Sequence, residues 1–169
     1  MLELSAHMTP RPPPPCAVLI VEDDREVRDE LALAVRMAEG FSLSAAMGSM
    51  REVLEALARG LSFDAALVDL GLPDGSGLAV LPALRRAQPR AALLVLTIFD
   101  DERSVIGAIR AGADGYLLKD ARASDLLESL RQVRAGAAPI APRAARHLLP
   151  VVQREIGRAS CRERVYVLV

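Results

Sequence analysis

Aromatic side chains are nearly missing from this chain. It has no Trp, and Phe and Tyr together make up 3 % of its 169 residues. Any core must therefore be packed from Ala, Leu, Val and Ile, and an apolar content of 51 % leaves ample material for one domain. Long apolar runs are missing as well. None approaches the roughly 20 residues of a membrane-spanning helix, and no charged-then-apolar leader of the secretory kind opens the chain. Cysteine is scarce: Cys16 and Cys161 sit near opposite ends, without metal-ligand spacing. A reduced, cytoplasmic, soluble protein fits that usage. The net charge is -1, so no global field draws the chain to nucleic acid or to an anionic membrane. Neither a G-x-G-x-x-G turn nor a P-loop occurs, which argues against a nucleotide-binding enzyme.

What is present is alternation. Residues 1–15 end in Arg11 and four prolines, which can neither donate to a ladder nor continue a helix, so an extended, disordered leader is expected there. From Cys16 onward, apolar strand-like runs alternate with segments of helical periodicity. Strands are expected at 17–21, 41–47, 64–69, 91–97 and 115–118. Phe41, Leu43 and Ala45 should share one face of the second. Helices are expected between and after them, closed by Gly40, Gly60, Gly112 and Gly136. Asp24 should cap the first. Ser49 to Glu52 reads as a capping box for the second, with Val53, Leu54 and Leu57 inward. Pro82 falls inside the third and should kink it. Asp100 is placed to cap the fourth. Five strands alternating with five helices specify an α/β domain with a parallel sheet covered on both faces, over residues 16–136.

In such a sheet the site lies beyond the carboxyl ends of the strands. The first strand ends in Glu22-Asp23, the third in Asp69, the fourth in Thr97, and the fifth just before Lys119. Four of the five strands thus deliver a reactive or charged group at the same end. Crowded carboxylates repel one another, and a Mg²⁺ ion held by hard oxygens relieves this. Asp69 reads as the nucleophile that accepts a phosphoryl group. The Thr97 hydroxyl and the Lys119 ammonium read as partners of the phosphoryl oxygens.

Asp23, Asp69 with Pro73 and Gly77 behind it, Thr97 and Lys119 resemble the receiver domain of two-component response regulators. The segments 96–101 and 111–120, with Asp120 rather than proline after the lysine, are similar to the NarL/FixJ type. The resemblance implies a flavodoxin-like, doubly wound five-stranded (β/α)5 fold. It implies that a sensor histidine kinase phosphorylates Asp69. It implies that Glu22, Asp23, Asp69 and the Gly71 carbonyl hold Mg²⁺. Thr97 and Tyr116 would be the switch pair, the ring turning inward on phosphorylation, and Gly71 and Phe99 would tune water access to the phosphate. Readout would pass through the face built by the fourth helix, fifth strand and fifth helix, as altered dimerisation or release of an output domain.

Members of that type continue through a linker into a helix-turn-helix DNA-binding domain, and residues 137–154 resemble such a linker. Residues 155–169 resemble a translated short-read sequencing adapter and are set apart as an artefactual tail. No recognition helix or basic cluster gives these 169 residues a DNA-binding role of their own. Two other classes compete. A pseudo-receiver serving only as an interaction module would not need the complete set of acids, Thr and Lys. An aspartate-nucleophile phosphohydrolase would commonly carry a second acid two residues after Asp69, where this chain has Gly71.

Overall fold

The structure, a computed structural model, describes residues 14–151 and 153. Most of the leader and all of the 155–169 tail, with Cys161, lie outside the described residues. Five strands form one parallel sheet: β1 (Cys16–Val21), β2 (Phe41–Met47), β3 (Ala65–Val68), β4 (Ala92–Thr97) and β5 (Gly115–Leu118). Their order is 2-1-3-4-5, the doubly wound arrangement in which the chain reverses direction across the sheet at β1 and β3. The helices are α1 (Arg25–Met37), α2 (Met50–Ala58), α3 (Gly77–Ala87), α4 (Glu102–Arg110) and α5 (Ala123–Arg134).

Two apolar layers sandwich the sheet. Leu31, Ala32 and Val35 of α1 join Leu126, Leu130 and Val133 of α5 over Val18, Ile20, Leu67 and Leu94. On the other face Val53 of α2, Val80, Leu81 and Leu84 of α3, and Val105 and Ala108 of α4 cover Leu19, Val21, Val68, Val95 and Tyr116. Because both faces are covered, β1, β3 and β4 are apolar at successive positions rather than alternating. Among the described residues no helix is long and apolar enough to cross a membrane.

Several local expectations need correction. A bulge shifts the β1–β2 register between Val18, opposite Leu43, and Leu19, opposite Ala45. The extra residue sends Phe41 and Leu43 to the α1–α5 side but Ala45 and Met47 to the other. Leu54 points outward at 43 % exposure, and Ala56 takes its inward place. Ser49 caps α2 through the Glu52 amide, but the Glu52 carboxylate accepts from Gly48 rather than closing the box on Ser49. The cap of α4 is Asp101, whose carboxylate accepts from the Ser104 amide and hydroxyl; Asp100 lies one residue outside. Pro82 lies inside the continuous span of α3, on its exposed face, and leaves the Leu78 carbonyl without its helical amide partner. Asp24 caps α1 as expected, accepting from the Glu26 and Val27 amides.

Beyond α5 the chain stays on the domain. The Tyr116 amide donates to the Pro139 carbonyl at 2.9 Å, and the Ala141 amide donates to the Tyr116 carbonyl at 2.8 Å. Ile140 thereby forms a parallel bridge to Tyr116 on the open edge of β5. Residues 142–151 are helical, and Ala144 is fully buried beside Tyr116.

Candidate functional site

The sheet register assembles the site. Val21 pairs with Val68, and Val68 with Val95. Glu22 and Asp69, each one residue past its strand, therefore emerge side by side. The Lys119 amide donates to the Thr97 carbonyl at 3.0 Å, which sets those two residues next to each other at the ends of β4 and β5. A parallel sheet brings like ends together, so groups up to 97 residues apart in sequence converge.

Lys119 is the centre of the cluster. Its ammonium donates to Asp69 Oδ2 at 2.7 Å and to the Glu22 carboxylate at 2.8 and 2.9 Å. Glu22 is 1 % exposed and Asp69 5 %. Asp69 Oδ1 accepts from the Leu70 amide at 2.6 Å. Burial pushes the Glu22 carboxyl above its usual value, and the Lys119 hydrogen bond opposes this only in part. For Lys119 burial works against the charged form, but the hydrogen bonds and charges of Asp69 and Glu22 outweigh it and raise the ammonium above its usual value. The lysine therefore stays charged and holds two buried acids that would otherwise be left unpaired.

Asp23 is exposed, and one oxygen from each of Glu22, Asp23 and Asp69 falls within 4.8 Å of the others. Arg28 props this corner from α1, its Nη1 donating to the Glu22 carbonyl at 2.6 Å and the Asp23 carbonyl at 3.0 Å. Sequence reasoning missed that residue. The available signal was a guanidinium in the second turn of the helix that follows the acidic run.

Thr97 is fully buried. Its hydroxyl oxygen accepts one long bond, 3.5 Å from the Phe99 amide. A bond at that distance is weak. Tyr116 is fully buried too, and its hydroxyl donates to the Phe99 carbonyl at 2.7 Å. Burial and the charges of Asp101, Asp100 and Asp69 push the phenol far above its ordinary value, so it remains a donor. The ring already lies inward here, under the segment around Ile140.

The loop after Asp69 is shaped by glycine. A Cβ on Gly71 would lie 3.6 Å from both Asp69 Oδ2 and the Phe99 ring. A Cβ on Gly77 would collide with the Asp69 carbonyl oxygen. The loop returns through a two-residue hairpin, Gly71–Leu72 with Gly75–Ser76. Asp74 at its tip accepts from the Met50 and Arg51 amides at 2.8 Å, tying the loop to the start of α2.

Residues 18–131 match the family described as response regulator receiver domain. The match covers more than half of the chain, which therefore belongs to that family. The nitrate/nitrite response regulator protein NarP of Escherichia coli (strain K12) is 35 % identical over 134 residues, covering 79 % of this chain and 62 % of that protein. The nitrate/nitrite response regulator protein NarL of the same strain is 29 % identical over 157 residues, covering 89 % and 72 %. The crystal structure of a two-component response regulator of the LuxR family from Aurantimonas sp. SI85-9A1 superposes with a TM-score of 0.72. It covers 80 % of this chain and 96 % of the other at 23 % identity. The chain is thus a receiver of the NarL type, a signalling module of two-component systems rather than a classical enzyme.

Proposed function

We propose that this chain accepts a phosphoryl group on Asp69 from the phosphohistidine of a sensor kinase, and that the phosphorylated form is the signalling state. The observation that carries the proposal is the buried Asp69 carboxylate at the carboxyl end of β3, 2.7 Å from the Lys119 ammonium. In the transfer, a carboxylate oxygen of Asp69 forms a bond to phosphorus while the donor P–N bond breaks. The imidazole nitrogen keeps the electron pair of that bond. The Lys119 ammonium pairs with the added negative charge, and the Thr97 hydroxyl, held only by a long bond, donates to a phosphoryl oxygen.

The donor set fits Mg²⁺. Glu22, Asp23 and Asp69 offer hard carboxylate oxygens within reach of one ion, and the Gly71 carbonyl follows two residues after Asp69. When bound, the ion supplies neutralising charge to the phosphoryl oxygens. The chain spans 62 % of NarP and 72 % of NarL. Regulation of transcription through a DNA-binding domain, phosphorylation-dependent homodimers and a cytoplasmic location are proposed on that likeness. The domain limits proposed are 16–136 for the receiver and 137–154 for a linker.

The test is incubation with acetyl phosphate and Mg²⁺, read by intact mass. A gain of one phosphate in the wild type, absent in Asp69→Asn and absent without Mg²⁺, is expected. A gain that survives in Asp69→Asn names the wrong acceptor. No gain in a folded wild type favours a pure interaction module.

A further inference from the structure

The segment 139–148 packs on Tyr116 and reaches Asp100 and Asp120, which follow Thr97 and Lys119 in the chain. Its backbone bonds Tyr116 from both sides, through Pro139 and Ala141. Ile140, Ala144 and Leu148 share one apolar cluster with the Tyr116 ring. A ring leaving the core over the open edge of β5 would meet that segment. Gly115 shows how closely the chains approach, since a Cβ there would lie 2.8 Å from the Pro139 carbonyl.

The helix carries two arginines to the loops behind the phosphoryl-facing residues. Arg143 Nη2 sits 2.7 Å from Asp120, the residue after Lys119. Arg143 Nε and Arg146 Nη2 sit 4.0 and 3.6 Å from Asp100, three residues after Thr97. Between Thr97 and Asp100 lies Phe99, whose carbonyl takes the Tyr116 hydroxyl. Lys119, Thr97 and Tyr116 are thus each linked to 139–148 through no more than three residues.

We propose that segment 139–148 is a latch on the β5 edge whose docking and the phosphorylation of Asp69 favour each other. The latch rests on Asp69 being the acceptor. A phosphoryl group on Asp69 keeps Lys119, already 2.7 Å from that carboxylate, draws in the Thr97 hydroxyl, and so holds the β4–α4 and β5–α5 loops in one arrangement. That arrangement keeps Tyr116 inward and presents Asp100 and Asp120 to the arginines. Linkage then requires the converse: a docked segment makes the phosphorylated form easier to reach. The exposed ion pairs contribute modestly, and the paired backbone and the apolar cluster do the rest.

The test uses the full chain, acetyl phosphate and Mg²⁺. Intact mass reads the acceptor, and hydrogen–deuterium exchange of peptides spanning 139–148 reads the latch. In the wild type, phosphorylation should slow exchange there by roughly threefold or more, a modest allosteric coupling. Asp69→Asn should show no slowing. The double variant Arg143→Glu/Arg146→Glu should exchange faster and gain phosphate roughly threefold more slowly. Adding Asp120→Arg to Arg143→Glu should recover both, which separates lost coupling from a damaged fold. Full phosphate gain with unchanged or faster exchange overturns the latch and leaves Asp69 as acceptor. No phosphate gain overturns both.

Discussion

Lys119 shows how one residue can hold a whole site together. It is the positive charge shared by Glu22 and Asp69, with side-chain exposures of 18 %, 2 % and 6 % respectively. Lys119→Met should leave two buried carboxylates without a cation and cost about 3 kcal/mol, as breaking a buried pair does. Urea unfolding should show it, and Mg²⁺ should restore part of the loss in the variant by supplying the missing charge. The sign with pH follows from the raised lysine. With both carboxylates ionised, the stabilisation is complete below the lysine's ordinary value of 10.5 and is lost as pH rises through its higher folded value, so the gap between wild type and variant should close in strong alkali. The placement of Lys119, Asp69 and Thr97 at the strand ends was legible in sequence because each ends or directly follows an apolar run. Arg28 and Asp74 were not, since a helix arginine and a turn aspartate look like ordinary surface charge until their carbonyl and amide partners are placed.

At the level of elements, helix and strand identity followed from periodicity, and the misjudged details are those that need a neighbour. Leu43 and Ala45 look equivalent in a strict alternation, and the bulge that separates them exists only against β1. Asp100 and Asp101 are equally good caps by residue type. Leu54 has the right spacing for the core, but α2 turns Val53 and Ala56 inward instead. Pro82 is the remaining conflict. Because it lies on the exposed face of α3, Pro82→Ala should restore one backbone bond. The gain from helix propensity exceeds the loss of proline's restraint on the unfolded chain. A stabilisation of about 1–2 kcal/mol is expected, seen as a higher urea midpoint with unchanged slope. A lower midpoint would mean that the ring is part of the packing between α3 and its neighbours.

For the whole molecule, the question is where the folded unit ends. Glycine closure at Gly136 suggested that the domain ends with α5. In the structure, Ile140, Ala144 and Leu148 continue the core past it, and two backbone bonds extend the sheet at Tyr116. Ending the chain at Gly136 should therefore destabilise it by roughly 2–4 kcal/mol, from the apolar area uncovered. Circular dichroism should still show the α/β fold, because both main layers remain. A truncated chain as stable as the full one would reduce the 139–148 contacts to surface decoration.

The sequence by itself determined the α/β alternation, the parallel sheet and the set of strand-end groups. Hydrophobic period, glycine stops and residue chemistry are local properties, and each can be read without knowing what lies opposite. Only the tertiary structure decided which groups meet and how. The pairing of Lys119 with both acids, the inward Tyr116, the Arg28 prop and the return of 139–148 to the β5 edge all join residues distant in sequence. Such contacts depend on strand order, on register and on which helix face finds cover. These are settled by packing the whole chain at once, so no single segment carries a mark of them.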